Sequence, residues 1–246
     1  MGGQAQELLI VTCTYQKPRR LSFIKECISK FKLVPHMRWI LVEDGQDIDA
    51  QVKKLLDVSG IDYIYLHLYS RSHGNAQKNL ALTYIRDNDL KGIVYIADDD
   101  NKYDLRLFEE IRKTERISVF PVGNLGPNGI ERPIVKNGRI TGWDADWHSR
   151  KYPIDQGGYA INASLLKALK DPLWSHQSYG GESEFIEKLI QSPDELEILC
   201  DGCRRCYMWH NHLLLLWPFG HLYVYVKVVA TKILRKCGVT FPGERI

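Results

Sequence analysis

Three consecutive carboxylates, Asp98, Asp99 and Asp100, are the residues of this 246-residue chain with the clearest chemical potential. They directly follow Ile93 to Ala97, an apolar run that predicts a buried strand. Adjacent negative charges repel one another most strongly where a strand leaves an apolar core, and a divalent cation relieves that repulsion. Carboxylate oxygens suit Mg²⁺ or Mn²⁺, whose coordination is commonly completed by substrate phosphates. The alternative interpretation is a solvated acidic turn before the next helix.

Two more predicted strands end in polar residues. The run Leu8 to Thr12 leads to Tyr15, and Trp39 to Val42 is followed by Glu43 and Asp44. Ligands of open α/β sheets bind at the carboxyl ends of the strands, where the loops converge. Tyr15 offers a ring on which a nucleotide base can stack, although an ordinary half-buried aromatic side chain would look the same in sequence.

The hydrophobic periodicity shows how these strand ends are positioned. Strands and helices alternate over the first two thirds of the chain, which predicts an α/β fold with a mostly parallel central sheet covered by helices on both faces. The remaining predicted elements are helices at Leu21 to Phe31, Val52 to Leu56, Gln77 to Ile85, Leu105 to Arg112 and Ser183 to Ile190, strands at Tyr63 to Leu68, Ile117 to Val122 and Cys206 to Trp209, and a hairpin from Ile134 to Trp143 that turns at Asn137-Gly138.

Composition excludes several classes of protein. With 44% hydrophobic and 26% charged residues, the chain is neither disordered nor collagen-like. Its 33 Lys and Arg residues nearly balance 30 Asp and Glu residues, so the net charge of +3 predicts no nucleic-acid partner. A metal-dependent phosphotransferase is disfavoured because the chain has no G-x-x-x-x-G-K-[ST] phosphate-binding loop.

Cysteine spacing leaves two alternatives open. Cys200, Cys203 and Cys206 could supply three thiolates to zinc, with His210 as a fourth ligand. A closed structural zinc site is demanding in geometry, so we favour a disulfide or buried thiols.

Three features of the sequence concern its cellular location. The polar residues Met1 to Glu7 and the short apolar run Leu8 to Val11 do not form a signal peptide. Asn162 begins an Asn-Ala-Ser sequon and predicts glycosylation if the chain enters the secretory pathway. The apolar segment Leu213 to Leu234 is long enough to span a membrane, but it is interrupted by Pro218, Gly220 and two lysines. We interpret it as buried or membrane-surface structure.

Several blocks, taken together, resemble the β-1,3-glucuronosyltransferases that build the proteoglycan linker and related glycans. The string Val94-Tyr95-Ile96-Ala97-Asp98-Asp99-Asp100-Asn101 is similar to the DxD region of that family. Further blocks agree in order over about residues 8 to 212, namely Val11 to Tyr15, Trp39 to Asp44, Gln77-Lys78-Asn79, Leu107 to Glu110, Val119 to Gly123, Pro153-Ile154-Asp155 and Trp209-His210. One block would be weak support, but so many blocks in register are specific.

The resemblance implies a GT-A fold, Rossmann-like, that uses Mn²⁺ and UDP-glucuronic acid. It further implies that residues 1–246 form one catalytic domain, with a nucleotide-sugar-binding half (8–122), an acceptor-binding half (123–212) and a divergent apolar tail (213–246). In the donor site, Tyr15 would stack on uracil and Asp44 would accept a hydrogen bond from it. Asp98 and Asp99 would serve the ribose and neighbouring groups, Asp100 would bind the metal, and His210 would contact the donor.

Family members invert the anomeric centre by direct displacement, which requires one general base. The motif carrying it resembles Glu182-Ser183-Glu184-Phe185-Ile186, which assigns the base to Glu182 and leaves Glu184 as the rival. Both glutamates are also ordinary residues for the first turn of a helix. The matching acceptor residues are Glu131, Arg150 and Asp155, and the implied acceptor is the 3-hydroxyl of a terminal galactose.

The chain departs from the family pattern at residues that would read the donor. His73 and Lys78 occupy places where the family usually has arginine, and Asn211-His212 replaces Thr-Arg after Trp209-His210. These changes remove permanent bidentate charges. They leave open another donor, such as UDP-xylose, or a catalytically inert glycan-binding protein. The resemblance also implies the Golgi lumen, a possible homodimer, and a type II membrane anchor in the full-length form, although no anchor is evident here.

Overall fold

The computed structural model describes residues 6–70, 74–175 and 181–211. The strands in this part of the chain are β1 Leu8–Tyr15, β2 Met37–Asp44, β3 Asp62–His67, β4 Ile93–Ile96, β5 Lys102–Tyr103, β6 Ile117–Val119, β7 Val122–Gly123, β8 Ile130–Lys136, β9 Arg139–Asp144, β10 Tyr159–Asn162, β11 Glu197–Ile198 and β12 Met208–Trp209. The helices are α1 Arg20–Phe31, α2 Ala50–Asp57, α3 Asn75–Asp87, α4 Leu105–Ile111, α5 Glu182–Leu189 and the short α6 Cys200–Cys203.

A seven-stranded sheet forms the centre of the fold, in the order β11-β6-β10-β4-β1-β2-β3. Strands β4, β1, β2 and β3 are parallel, whereas β10 runs antiparallel to both of its neighbours. Alternate residues of β1 enter different hydrophobic clusters: Leu8 and Ile10 on one face, and Leu9 and Val11 on the other. Both faces are therefore buried, which explains the continuous apolar run and confirms the prediction of a mostly parallel, covered sheet.

The predicted strand Ile117 to Val122 is wrong as a single element. Pro121 has no N–H group to donate to a strand partner, and the chain changes sheets there. β6 pairs with β10 and β11 in the central sheet, whereas β7 pairs with β8 and β12 in a second sheet. The other predicted helices and strands are confirmed, with shifted ends. Cys206 to Trp209 forms a strand only at Met208–Trp209.

The second sheet has five strands in the order β5-β12-β7-β8-β9. Its hairpin turns at Asn137 and Gly138, with φ of 50° and 74°, as expected for an Asn-Gly turn that matches the twist of the two strands. β12 lies antiparallel to β5, which closely follows the acidic triplet. This sheet therefore brings the end of the described chain against the loop that carries the aspartates.

Within the described residues, Cys200, Cys203, Cys206 and His210 do not converge on a metal position. Cys200 and Cys203 are buried free thiols, and Cys203 Sγ lies 3.5 Å from the carbonyl oxygen of Val119.

Among the described residues, no helix is both long and apolar enough to cross a membrane. The segment Leu213 to Leu234 lies outside the described residues.

A buried ion pair fixes α1 against the strand ends near the acidic loop. The guanidinium of Arg20 donates to Glu43 at the end of β2, and the Tyr65 hydroxyl donates to the same carboxylate oxygen at 2.6 Å. The side chains of Arg20 and Glu43 are 3% and 5% exposed. Removing one partner would leave an uncompensated buried charge, which is far more costly than removing both.

We therefore predict that Arg20→Met lowers the free energy of unfolding by about 3–5 kcal/mol. The double variant Arg20→Met/Glu43→Met should recover most of that loss, because neither charge is then left alone. Urea unfolding of both variants measures the difference. A double variant that is less stable than Arg20→Met would contradict this interpretation.

Candidate active site

The acidic loop after β4 is held to the loop after β1. Asp99 is buried, and its two carboxylate oxygens accept hydrogen bonds from the Thr14 hydroxyl and the Lys17 ammonium, each at 2.7 Å. The same ammonium donates to Asp100 Oδ2 at 3.0 Å. The three neighbouring charges predicted from sequence are therefore partly neutralised by a cation from the protein itself.

Asp98 is held by residues that follow it in the chain and by Gln156. Its Oδ1 accepts a hydrogen bond from Gln156, its Oδ2 accepts one from Asn101 at 3.1 Å, and its backbone oxygen accepts one from Tyr103 at 2.8 Å. Burial among these neighbours, followed by repulsion from Asp155, raises the pKa of Asp98 to about 7. This carboxyl group therefore titrates near neutrality in the absence of a bound cation.

Tyr15 and Asp44 end two neighbouring strands. They are partners in the β1–β2 register, and both stand at the edge of the sheet where β4 delivers the aspartates. Tyr15 is 53% exposed, and Asp44 Oδ1 accepts a hydrogen bond from the Ser70 backbone N–H at 3.0 Å. The edge thus presents an accessible aromatic ring next to carboxylates.

Lys78 supplies a buried cation from the first turns of α3. Its ammonium lies 4.6 Å from the centroid of the Trp174 ring, and the side chain is almost fully buried. The Trp174 indole N–H donates to Asn75 Oδ1 and its backbone N–H to Asn79 Oδ1, both at 3.1 Å. Trp174 therefore packs against the helix that carries Lys78. His73 lies outside the described residues.

Glu182 is the first residue of α5 and is 7% exposed. Burial raises the pKa of Glu182, while the positive charges of Lys78 and Arg150 oppose that increase. Arg150 donates to Glu182 Oε2 at 3.1 Å. Glu184, two residues later, is exposed to solvent. Of these two glutamates, only Glu182 is therefore buried beside other site residues.

Glu131 and Asp155 form a second acidic group. The Asp155 backbone N–H donates to Glu131 Oε1 at 2.6 Å, and the Asp155 carboxylate accepts from the Gly157 N–H at 2.8 Å. Burial and repulsion from Asp155 raise the pKa of Glu131 to about 8. Asp155 also raises the pKa of Asp98 and Glu182, so these four carboxyl groups are electrostatic neighbours.

His210 follows β12, and its backbone N–H donates to Gly123 O at 3.0 Å. The next residue, Asn211, donates its N–H to Asn101 Oδ1 at 3.0 Å, and Asn101 in turn donates to Asp98. The His210 segment is thereby tied to the acidic loop. His212 lies outside the described residues.

Asn162 stands apart from the other predicted residues. It pairs with Ile93 at the start of β4, the end opposite the aspartates. Its side-chain oxygen accepts from the Ser164 N–H at 3.0 Å and caps a short 3-10 helix. A glycan on Asn162 would therefore lie away from the acidic edge, and its presence stays a prediction.

Four residues of this arrangement were not identified from sequence: Lys17, Asn101, Gln156 and Trp174. Lys17 could have been noticed as a basic residue two positions after Tyr15. Gln156 and Trp174 lie far along the chain from the residues that they contact, so no local sequence pattern predicts these contacts.

The donor atoms fit a cation that takes most of its ligands from a substrate. Within residues 6–70, 74–175 and 181–211, no three His, Cys, Asp or Glu side chains converge on a metal position. Asp99 and Asp100 nevertheless converge on one ammonium, so their oxygens already face a shared positive charge. A coordination shell with one or two protein carboxylates, completed by phosphates and water, suits Mg²⁺ or Mn²⁺.

The raised pKa of Glu131 predicts a pH-dependent stability. An unfolded carboxyl titrates near about 4.3, whereas Glu131 titrates at about 8 in the folded chain. Between these values the folded state binds more protons, so stability should fall as pH rises through this window, by at most about 1.4 kcal/mol per pH unit.

Urea unfolding from pH 5 to 8 should show that fall in the unmutated chain and a shallower fall in Glu131→Gln. A residual slope is expected because the pKa of Asp98 is also raised, to about 7. Identical slopes for the two proteins would show that Glu131 does not take up a proton on folding.

Comparison with known proteins identifies the family. The model of glycosyltransferase family 43 matches residues 27–213. Galactosylgalactosylxylosylprotein 3-beta-glucuronosyltransferase 2 of Rattus norvegicus is 33% identical over 220 residues, covering 82% of this chain and 67% of the relative. Galactosylgalactosylxylosylprotein 3-beta-glucuronosyltransferase P of Drosophila melanogaster is 31% identical over 216 residues, with coverages of 83% and 45%. The chain thus spans about half to two thirds of the length of these relatives.

Solved structures show the same fold at low identity. TarS of S. aureus aligns with a TM-score of 0.54 at 15% identity, covering 93% of this chain and 65% of that one. The mannosyltransferase PcManGT of Pyrobaculum calidifontis, in complex with GDP-Man and Mn²⁺, aligns with a TM-score of 0.52 at 13% identity, with coverages of 94% and 65%. The predicted GT-A fold is therefore confirmed. The chain belongs to glycosyltransferase family 43.

Proposed function

We propose that this protein transfers glucuronic acid from UDP-glucuronic acid to the 3-hydroxyl of a terminal galactose on a glycoprotein or proteoglycan linker glycan, with Mn²⁺ as cofactor and Glu182 as general base. The observation that carries the proposal is the buried Glu182, whose pKa is affected by Lys78 and Asp155, the same two charges that act on Asp98 at the strand end. The names of the curated relatives supply the donor sugar and the type of linkage.

In the proposed donor site, the exposed Tyr15 ring stacks on the uracil base and Asp44 accepts a hydrogen bond from it. Asp98 and Asp99 serve the ribose and neighbouring groups, while Asp100 holds the cation. A Mn²⁺ ion bound there with the diphosphate would neutralise the charge that develops on the departing UDP. His210, tied to the same loop through Asn101 and Asn211, contacts the donor.

The proposed reaction is a single displacement. Glu182 takes the proton from the acceptor hydroxyl while that oxygen bonds to the anomeric carbon and the bond to UDP breaks. Burial moves the pKa of Glu182 upward, towards the working pH, where a carboxylate accepts a proton more readily. Lys78 and Arg150 oppose that increase, because their positive charges favour the ionised carboxylate.

The proposed acceptor site uses Glu131, Arg150 and Asp155, whose polar atoms can hydrogen-bond sugar hydroxyls. Arg150 donates to Glu182, so an acceptor held by Arg150 would have its hydroxyl close to the base. In this proposal residues 8–122 bind the donor and residues 123–212 bind the acceptor. We place the protein in the Golgi lumen, anchored as a type II membrane protein in its full-length form.

Replacing the base should slow catalysis strongly and spare binding. Glu182→Gln is expected to lower kcat by about 10²–10⁴-fold, the usual contribution of a general base. Glu184→Gln is the matched control and should retain activity, because Glu184 is exposed. Transfer of glucuronic acid to a β-galactoside in the presence of Mn²⁺ gives both rates. Equal losses in the two variants would contradict the assignment of Glu182.

The pH profile gives an independent test of the same residue. Because the base must be ionised, kcat/KM should rise with pH through the raised pKa of Glu182. Arg150→Met removes one of the charges that lower this pKa and should move the rising limb to higher pH. A limb that does not move would show that Arg150 does not act on the titrating group.

The identity of the donor needs its own test, because Lys78 is a point charge where the family usually has a bidentate arginine. With Mn²⁺ present, UDP-glucuronic acid should raise the thermal unfolding midpoint more than UDP-xylose does, since the tighter ligand stabilises the folded state more. Greater protection by UDP-xylose would change the proposed donor. Protection by UDP without turnover of either sugar would indicate an inert homologue.

A further inference from the structure

Lys17 contacts two groups that a nucleotide-sugar donor would need at the same time. Its ammonium donates to Asp99 Oδ1 at 2.7 Å and to Asp100 Oδ2 at 3.0 Å. The same nitrogen lies 5.1 Å from the centroid of the Tyr15 ring, over its face. The side chain is only 13% exposed, so it is packed into this position rather than extended into solvent.

The ammonium that lies over the Tyr15 ring is the one that donates to Asp99 and Asp100, so it covers the ring face nearer to those carboxylates. A nucleotide with its base on Tyr15 and its diphosphate near Asp100 would approach from that side. The base would meet the ammonium on the ring, and a cation would meet it on the carboxylates. A base on that face, or a cation on those two carboxylate oxygens, would therefore compete with Lys17.

We propose that Lys17 is a resident counter-cation that occupies the base-stacking face of Tyr15 and the oxygens of Asp99 and Asp100 together, so that nucleoside and Mn²⁺ bind cooperatively. The inference rests on the donor and metal sites of the proposed function. Whichever ligand binds first moves Lys17 aside, and the second then binds without that cost. By linkage, each ligand strengthens the other by the same factor.

Uridine separates this mechanism from direct contact between the ligands. It carries the base and the ribose but no phosphate, so it offers Mn²⁺ no diphosphate oxygens. Any cooperativity between uridine and Mn²⁺ must then pass through the protein. Electron paramagnetic resonance of free Mn²⁺ measures metal binding to the full chain directly, with and without saturating uridine, and needs no turnover.

For the unmutated chain, uridine should tighten Mn²⁺ binding by about tenfold, within the usual range of coupling between two sites. In Lys17→Met, Mn²⁺ should bind more tightly without uridine, because the competing cation is gone, and the effect of uridine should fall to a factor near one. Lys17→Gln serves as a second neutral variant should Lys17→Met fold poorly. Lys17→Arg keeps a cation and should keep the cooperativity.

Lys102→Met is the matched control for loss of a nearby charge. Lys102 lies two residues after Asp100, but its ammonium is paired with Glu26. This variant should behave as the unmutated chain does. Equal Mn²⁺ affinities with and without uridine in the unmutated chain, together with normal transferase turnover, would overturn the role of Lys17 and leave the proposed function intact. Failure of every variant to bind Mn²⁺ even with UDP present would overturn both.

Discussion

The concentration of negative charge at one edge of the central sheet is the constraint to which the rest of the site responds. Asp98, Asp99 and Asp100 leave β4 together, and the end of β1 places Tyr15 beside them. Like charges in a half-buried site are tolerated only with cations, hydrogen-bond donors or bound protons. The protein provides a cation of its own, the Lys17 ammonium, which bridges two of the three aspartates.

The carboxyl groups around this edge differ in the balance of burial and neighbouring charge. Asp98 and Glu131 have pKa values raised to about 7 and about 8, with burial as the main cause and Asp155 as the next. Positive charges oppose this increase in pKa at each group: Lys78 acts on Asp98, Arg150 acts on Glu131, and both act on Glu182. Different surroundings therefore suit chemically similar groups to different tasks, as in other enzymes that use several carboxyl groups.

Much of this fold was predictable because its signals are local. The buried runs of β1, β2 and β4, the helical spacing of α1 and α3, and the Asn-Gly turn of the β8–β9 hairpin each depend on a few adjacent residues. The change of sheet after Phe120 was not predicted. It depends not only on Pro121 but also on strand partners elsewhere in the chain, which the local pattern does not show. The DxD-like string marked the acidic edge in advance.

The contacts that complete the site have no such local signal. Lys17 reaches across 82 positions to Asp99, and Gln156 reaches across 58 to Asp98. Burial of Glu182 and exposure of Glu184 are likewise set by the packing of α5, since a helix start by itself favours acidic residues at both positions. Tertiary structure is needed to distinguish the two glutamates.

The stereochemistry of the transferred sugar tests the central claim most directly, because a single base and a direct displacement allow only one outcome. Proton NMR of the product formed from the α-linked donor UDP-glucuronic acid, a β-galactoside acceptor and Mn²⁺ reports the configuration of the new bond. Inversion to a β-linked glucuronic acid is the result that this mechanism predicts. An α-linked product would require a covalent intermediate or another retaining route, and would contradict the role given to Glu182.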